Sequence, residues 1–158
     1  MYKLIFFILL SVNLYSEDSV SFVNKLINNN LNFFQTTDSG FDEINSKGRL
    51  VRNKDFIEIT IDLPSKEKYI LRDSIIEIHD YEFNQSQIIE INDDNSFLFN
   101  FLTNGLDADE INNMNENSFT VLKNDNQFFV NIISESSFSI SYNDNMNYKN
   151  LIAFEVLK

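Results

Sequence analysis

The chain has no cysteine and no tryptophan, one proline, three glycines and one histidine among 158 residues. Without cysteine there is no disulfide and no N-terminal Cys to carry a lipid, so the core has to suffice for stability. With so little Gly and Pro, no linker composition separates a second domain, and the length fits one domain. Basic residues are scarce, 12 Lys and Arg against 24 Asp and Glu, for a net charge of −12. Contact with phosphates needs a basic surface, so this balance argues against nucleic acid or an anionic membrane as partner. Solubility alone also accounts for such acidity. No internal repeat is present.

Long apolar runs are missing except at the start. Lys3 provides a short positive segment, and Leu4–Leu10 is an unbroken apolar stretch. That stretch is well below the roughly 20 residues that span a bilayer. It therefore reads as a signal peptide over residues 1–16, cut between Ser16 and Glu17. The expectation is an exported, soluble protein with one domain over residues 17–158.

What the chain does have is period-2 alternation. Ile57, Ile59, Ile61 and Leu63 alternate with Glu58, Thr60 and Asp62. Phe138, Ile140 and Tyr142 alternate with serines, and Ile152, Phe154 and Val156 close the chain in the same way. Such strands have one wet and one apolar face, and sheets built from them are usually antiparallel. Less regular strands fit Lys47–Arg52, Tyr69–Leu71, Ile75–His79, Gln87–Ile91, Phe119–Leu122 and Phe128–Ile133. Turn chemistry separates them at Asp38-Ser39-Gly40, Pro64-Ser65, Lys123–Asn126 and Tyr142–Asn145.

Two segments have helical spacing instead. In Ser19–Ile27, Val20, Val23 and Ile27 share one side. In Ser96–Asn104, Phe97, Leu98, Phe101 and Leu102 share a face; Ser96 suits the N-cap and Gly105 the left-handed position after the helix. The expected fold class is mainly β with a few helices (α+β): a curved, incomplete antiparallel β-barrel whose concave apolar face the helices cover. An uncovered face of that kind invites aggregation.

Reaction chemistry is thin. His79 is the only histidine and stands beside Asp80, with no thiol and no serine in a nucleophile elbow. The acidic groups Asp93-Asp94-Asn95 and Asp107–Glu110 lack the spacing of a calcium loop. Glu58 and Asp62 lie on one wet strand face, which is not an acid–base pair. Asn84-Gln85-Ser86 is formally a glycosylation sequon. No catalytic residue, metal or cofactor is expected, and the chain reads as a non-enzyme.

The order of motifs resembles the outer-membrane lipoprotein carrier protein family, LolA. Phe33-Phe34-Gln35 is similar to that family's Phe-x-Gln element, and Gly48-Arg49-Leu50 to its Gly-x-Leu. Arg52 and Phe56 stand where the family has Arg-Pro-x-x-Phe, ahead of an alternating strand ending at Pro64. Asp73-Ser74 takes the place of an Asp-Gly turn, and His79–Gln85 that of a Tyr-Asp-Pro-Glu-Leu-x-Gln segment. Asn53 and Ser74 depart from the Pro and Gly of the pattern, and the Trp common in these strands is missing. The likeness covers the front half of the chain after the signal peptide.

The resemblance implies a monomeric periplasmic chaperone. It would take outer-membrane-directed lipoproteins from an inner-membrane ABC transporter and pass them to an outer-membrane acceptor lipoprotein. It places Arg52 and Phe56 at the mouth of an acyl-chain cavity, Ile57, Ile59 and Ile61 on its wall, and Phe97, Leu98, Phe101 and Leu102 on a lid. Arg52 is then expected to hydrogen-bond carbonyls of the lid helix. Read from the residues alone, Arg52 also fits a solvated turn, and Phe56 with the Ile57–Leu63 face fits an ordinary core. A module of similar shape for another lipid or hydrophobic ligand is the alternative.

Overall fold

A computed structural model describes residues 19–91, 97–123 and 126–158. The proposed signal peptide, Ser96 and the Asp93–Asn95 cluster lie outside the described residues. The described residues fold as one open antiparallel sheet of 11 strands with two helices, not closed into a barrel. After helix α1 (Ser19–Ile27) come β1 (Leu31–Asp38), β2 (Glu43–Arg52), β3 (Ile57–Leu63), β4 (Glu67–Arg72), β5 (Ile75–Asp80) and β6 (Gln85–Glu90). Helix α2 (Phe97–Asn104) and a short 3-10 turn at Ala108–Glu110 lead to β7 (Ile111–Asn112), β8 (Ser118–Lys123), β9 (Asn126–Ser134), β10 (Ser137–Asn143) and β11 (Lys149–Val156).

Two meanders, β1–β6 and β7–β11, join where β1 pairs with β11, with Leu31 opposite Val156 and Asp38 opposite Lys149. The free edges are β6 and the two-residue β7. The period-2 pattern is the reason for a single packed face. Leu31, Leu50, Ile57, Leu71 and Ile76 from the first meander join Phe119, Val121, Val130, Phe138, Ile140, Ile152 and Phe154 from the second in one core. Both helices pack on that face: Val20, Val23, Leu26 and Ile27 of α1 and Phe101 and Leu102 of α2 belong to the same cluster.

One central strand is invisible to periodicity. Leu31–Asp38 is β1, the middle of the sheet, yet Phe33 and Phe34 stand side by side and the inward positions end in Gln35 and Thr37. Adjacent aromatics and a polar finish hide the alternation. Gly48 explains how β1 fits. A Cβ there would meet the Thr60 carbonyl at 2.0 Å and the Phe33 ring at 2.7 Å, beside a register shift in the β2–β3 ladder. Only a residue without a side chain lets Phe33 lie across β2.

Because each strand reverses, the turns sort into two ends. The β2–β3, β4–β5 and β9–β10 turns lie at one end, with the last turn of α1. The β1–β2, β3–β4, β5–β6, β8–β9 and β10–β11 turns lie at the other.

Candidate functional site: a lidded apolar cavity

Between α2 and the sheet is a cavity of about 180 Å³. Its floor is Leu50, Ile59, Ile61 and Tyr69, its side is Phe33, Ile152 and Phe154, and its roof is Leu98, Phe99 and Leu102. Gln35 and Tyr69 supply the polar atoms of this lining. Ligand sites run from roughly 300 to 1,000 Å³. The space is therefore too small for a long hydrocarbon chain while α2 stays down.

Helix α2 is apolar on more than one side, and its two flanks do different things. Leu98, Phe99 and Leu102 face the cavity. Phe97 and Phe101 face away from it, onto the second meander. Phe97 stacks on Phe128 with ring centroids 3.6 Å apart, and Phe101 meets Phe138 edge-on at 6.0 Å. Eight residues are too few for a helix to persist alone in water. These contacts, with the Gly105 N–H donating to the Phe101 carbonyl at 2.9 Å and Gly105 at φ 79°, define α2.

Arg52 ties the roof down. Its Nε donates to the Ile27 carbonyl at 2.7 Å, and its Nη2 donates to the Leu102 carbonyl. Ile27 ends α1, and Leu102 lies in the last turn of α2. Carbonyls there have no partner in their own helix and carry the negative end of its dipole, so a cation is favoured. Burial lowers the guanidinium pKa from its usual value. A guanidinium nevertheless stays charged in proteins, so both donations persist. The Arg52 backbone N–H donates to Asn30 Oδ1 at 2.8 Å, fixing the end of β2 against the α1–β1 turn.

A second tie holds the chain just beyond the roof. Asn24 of α1 donates from Nδ2 to the Leu106 carbonyl at 2.9 Å and accepts the Leu106 N–H on Oδ1 at 2.7 Å. Ser19 Oγ donates to the Glu116 carbonyl at 2.8 Å, holding the start of α1 to the loop before β8.

Of the residues singled out from sequence, Arg52, Ile59, Ile61, Leu98 and Leu102 come together at the cavity. Ile57 shares their face but sits at the far end of β3, opposite Leu71 and almost fully buried, where it is core. Phe56 lies in the β2–β3 turn, with the Arg72 guanidinium 5.7 Å from its ring centroid, outside the cavity lining. Phe97 and Phe101 hold the roof from its other flank. Sequence reasoning missed Phe33, Gln35, Leu50, Tyr69, Phe99, Ile152 and Phe154 of the lining, and Asn24. Strand parity relative to Ile59 identifies Tyr69 once register is known; nothing in the sequence separates Phe99 from its neighbours.

The pair His79–Asp80 forms no catalytic arrangement. His79 Nδ1 is 2.9 Å from Ser86 Oγ across the β5–β6 ladder, and Asp80 Oδ1 accepts the N–H groups of Glu82 and Phe83. Glu110 pairs with Lys123. Among the described residues, no group of three or more His, Asp or Glu is placed to hold a metal ion. No protein-family model and no curated protein matches the chain. Among the described residues, no helix is long and apolar enough to cross a membrane.

Proposed function

We propose that this protein is a periplasmic carrier that shelters the acyl chains of lipoproteins in the cavity under α2. The observation that carries the reading is the Arg52 bridge, a charged side chain bonded to a carbonyl of the helix that roofs an otherwise apolar space. A solid core needs no such roof, and a solvated turn arginine would not reach two helix ends.

The energetics suit a carrier. A long acyl chain gains on the order of 10 kcal/mol when fully sheltered, at about 0.8 kcal/mol per methylene. To admit it, α2 must lift, giving up the cavity contacts of Leu98, Phe99 and Leu102, the packing of Phe97 and Phe101 and the Arg52 bond to Leu102, and these losses offset much of that gain. The difference leaves binding firm enough for transit and weak enough for release. On this reading the donor is an inner-membrane ABC transporter and the acceptor an outer-membrane lipoprotein, as the resemblance implies.

The test is to isolate the protein from a periplasmic extract of its host and identify bound material by native mass spectrometry. Acylated lipoprotein in the complex supports the carrier. Phospholipid alone favours the alternative, a binding module for another lipid. An empty protein that also fails to bind a fluorescent fatty acid refutes both.

A further inference from the structure

The two ends of the sheet differ in a way the cavity alone does not require. At the Arg52 end three of the four strand-connecting turns carry mainly polar residues: Asn53-Lys54-Asp55, Arg72-Asp73-Ser74 and Ser134-Glu135-Ser136. Near that end Met114, in the β7–β8 loop, and Ile133 are the exposed apolar side chains. At the opposite end four of the five turns lift a large apolar side chain into water; the fifth, β8–β9, joins Lys123 to Asn126. Phe41 caps the β1–β2 turn at 97% exposure, Leu63 stands at the β3–β4 turn, and Tyr81 and Phe83 at β5–β6. Met146 stands at β10–β11. Scattered exposed apolar residues need no explanation, but a rim of them does.

The cavity opens toward this rim. Along β3 burial falls from Ile57 to Ile61 to Leu63, along β4 from Leu71 to Tyr69, and along β5 from Ile76 to Ile78. The other end is stoppered by Arg52 and by the buried Leu31 and Leu50. A fatty chain held in the cavity thus leaves its polar end at the rim. Acids outnumber bases along the rim: Asp38, Asp42 and Glu43 flank Phe41 and Asp80 and Glu82 flank Tyr81, against Lys47, Lys66 and Lys149, the last opposite Asp38. Lys66 lies over the Tyr81 ring, 5.7 Å from its centroid.

We infer that the rim binds the polypeptide segment next to the cargo's acylated terminus, and selects segments that carry basic and apolar residues over acidic ones. This rests on the carrier reading, because the acyl chain is what brings the segment to the rim. Complementary charge at an exposed contact sets specificity more than affinity, and salt screens it. The exposed tips supply the apolar part of the contact.

The test uses two synthetic peptides with the same N-terminal fatty acyl group, one followed by two lysines and one by two glutamates. Their binding is measured by displacement of a fluorescent fatty acid from the full-length mature protein. At low salt the lysine peptide is expected to bind about three- to tenfold tighter, as for two or three exposed ion pairs. The preference collapses at high salt and inverts in the double variant Asp42→Lys, Glu82→Lys. In Phe41→Ser, Phe83→Ser both peptides weaken while the fatty acid itself still binds. Equal binding of the two peptides, with the fatty acid bound normally, overturns this inference and leaves the carrier standing. Failure to bind the fatty acid overturns both. Binding of the unloaded protein to neutral phospholipid vesicles, lost in the Phe41 and Phe83 variant, would assign the rim to a bilayer surface instead.

Discussion

Replacing Arg52 by leucine tests the lid most directly. Leucine keeps an apolar stem against the sheet and removes both charged donors, leaving the Ile27 and Leu102 carbonyls without the cation that now serves them. Hydrogen bonds to charged groups contribute about 1.5–3 kcal/mol each. The site is half-buried. Exposure and the desolvation that lowers the Arg52 pKa both reduce the return, so a total of about 2–4 kcal/mol is expected. Urea unfolding of a small domain has a slope of about 1–3 kcal/mol per molar, which puts the shift in midpoint at about 1–2 M. Arg52→Lys should fall between, since one ammonium reaches a single carbonyl more easily than two on separate helices. Function moves the other way. With the closed state weakened, a larger fraction of molecules is competent to bind, and apparent affinity for a fluorescent fatty acid rises, about tenfold for each 1.4 kcal/mol taken from closure. The variant should accept cargo and release it poorly to an acceptor in a reconstituted transfer assay. An Arg52→Leu protein that unfolds within about 0.5 kcal/mol of the parent and binds and delivers as the parent does refutes the latch.

Asn24→Ala removes both bonds to Leu106 and leaves its N–H and carbonyl unpaired, so a loss of about 1–3 kcal/mol is expected, with faster hydrogen exchange at the Leu106 amide. Unchanged exchange would show that Asn24 is not an anchor of the lid. Gly48→Ala forces a methyl against the Thr60 carbonyl and the Phe33 ring; thermal unfolding should show a loss of about 3 kcal/mol or failure to fold. Phe101→Ala empties the flank of α2 that faces Phe138, at a cost of about 3–5 kcal/mol by urea titration. Tyr69 is held protonated well above its usual range by burial and by its hydroxyl donating to Glu67 at 2.5 Å. Its folded pKa is raised, so its stabilisation is complete below the unfolded value near pH 10 and is lost as pH climbs through the folded value. Tyr69→Phe should flatten the decline in stability as pH rises above about 10. An identical slope in both proteins would rule out that contribution.

Much of the architecture was legible because sheet faces are written locally. The alternation in Ile57–Leu63, Phe138–Tyr142 and Ile152–Val156 needs only neighbours two residues apart to show a single apolar face. The oily run Phe97–Leu102 followed by Gly105 likewise carries its helix and its stop within a few residues.

Depth and partnership were not legible. Ile57, Ile59 and Ile61 are equivalent by parity, yet one is core and two are cavity wall, because the helices close one end of the sheet and leave the other open. The pairing of Leu31 with Val156 joins residues from opposite ends of the chain, and no local pattern encodes it. The bridge from Arg52 to Ile27 and Leu102 also depends on that assembly: its acceptors are backbone carbonyls, which every residue possesses, and only the packing of two helices on one sheet brings two of them within reach of one guanidinium.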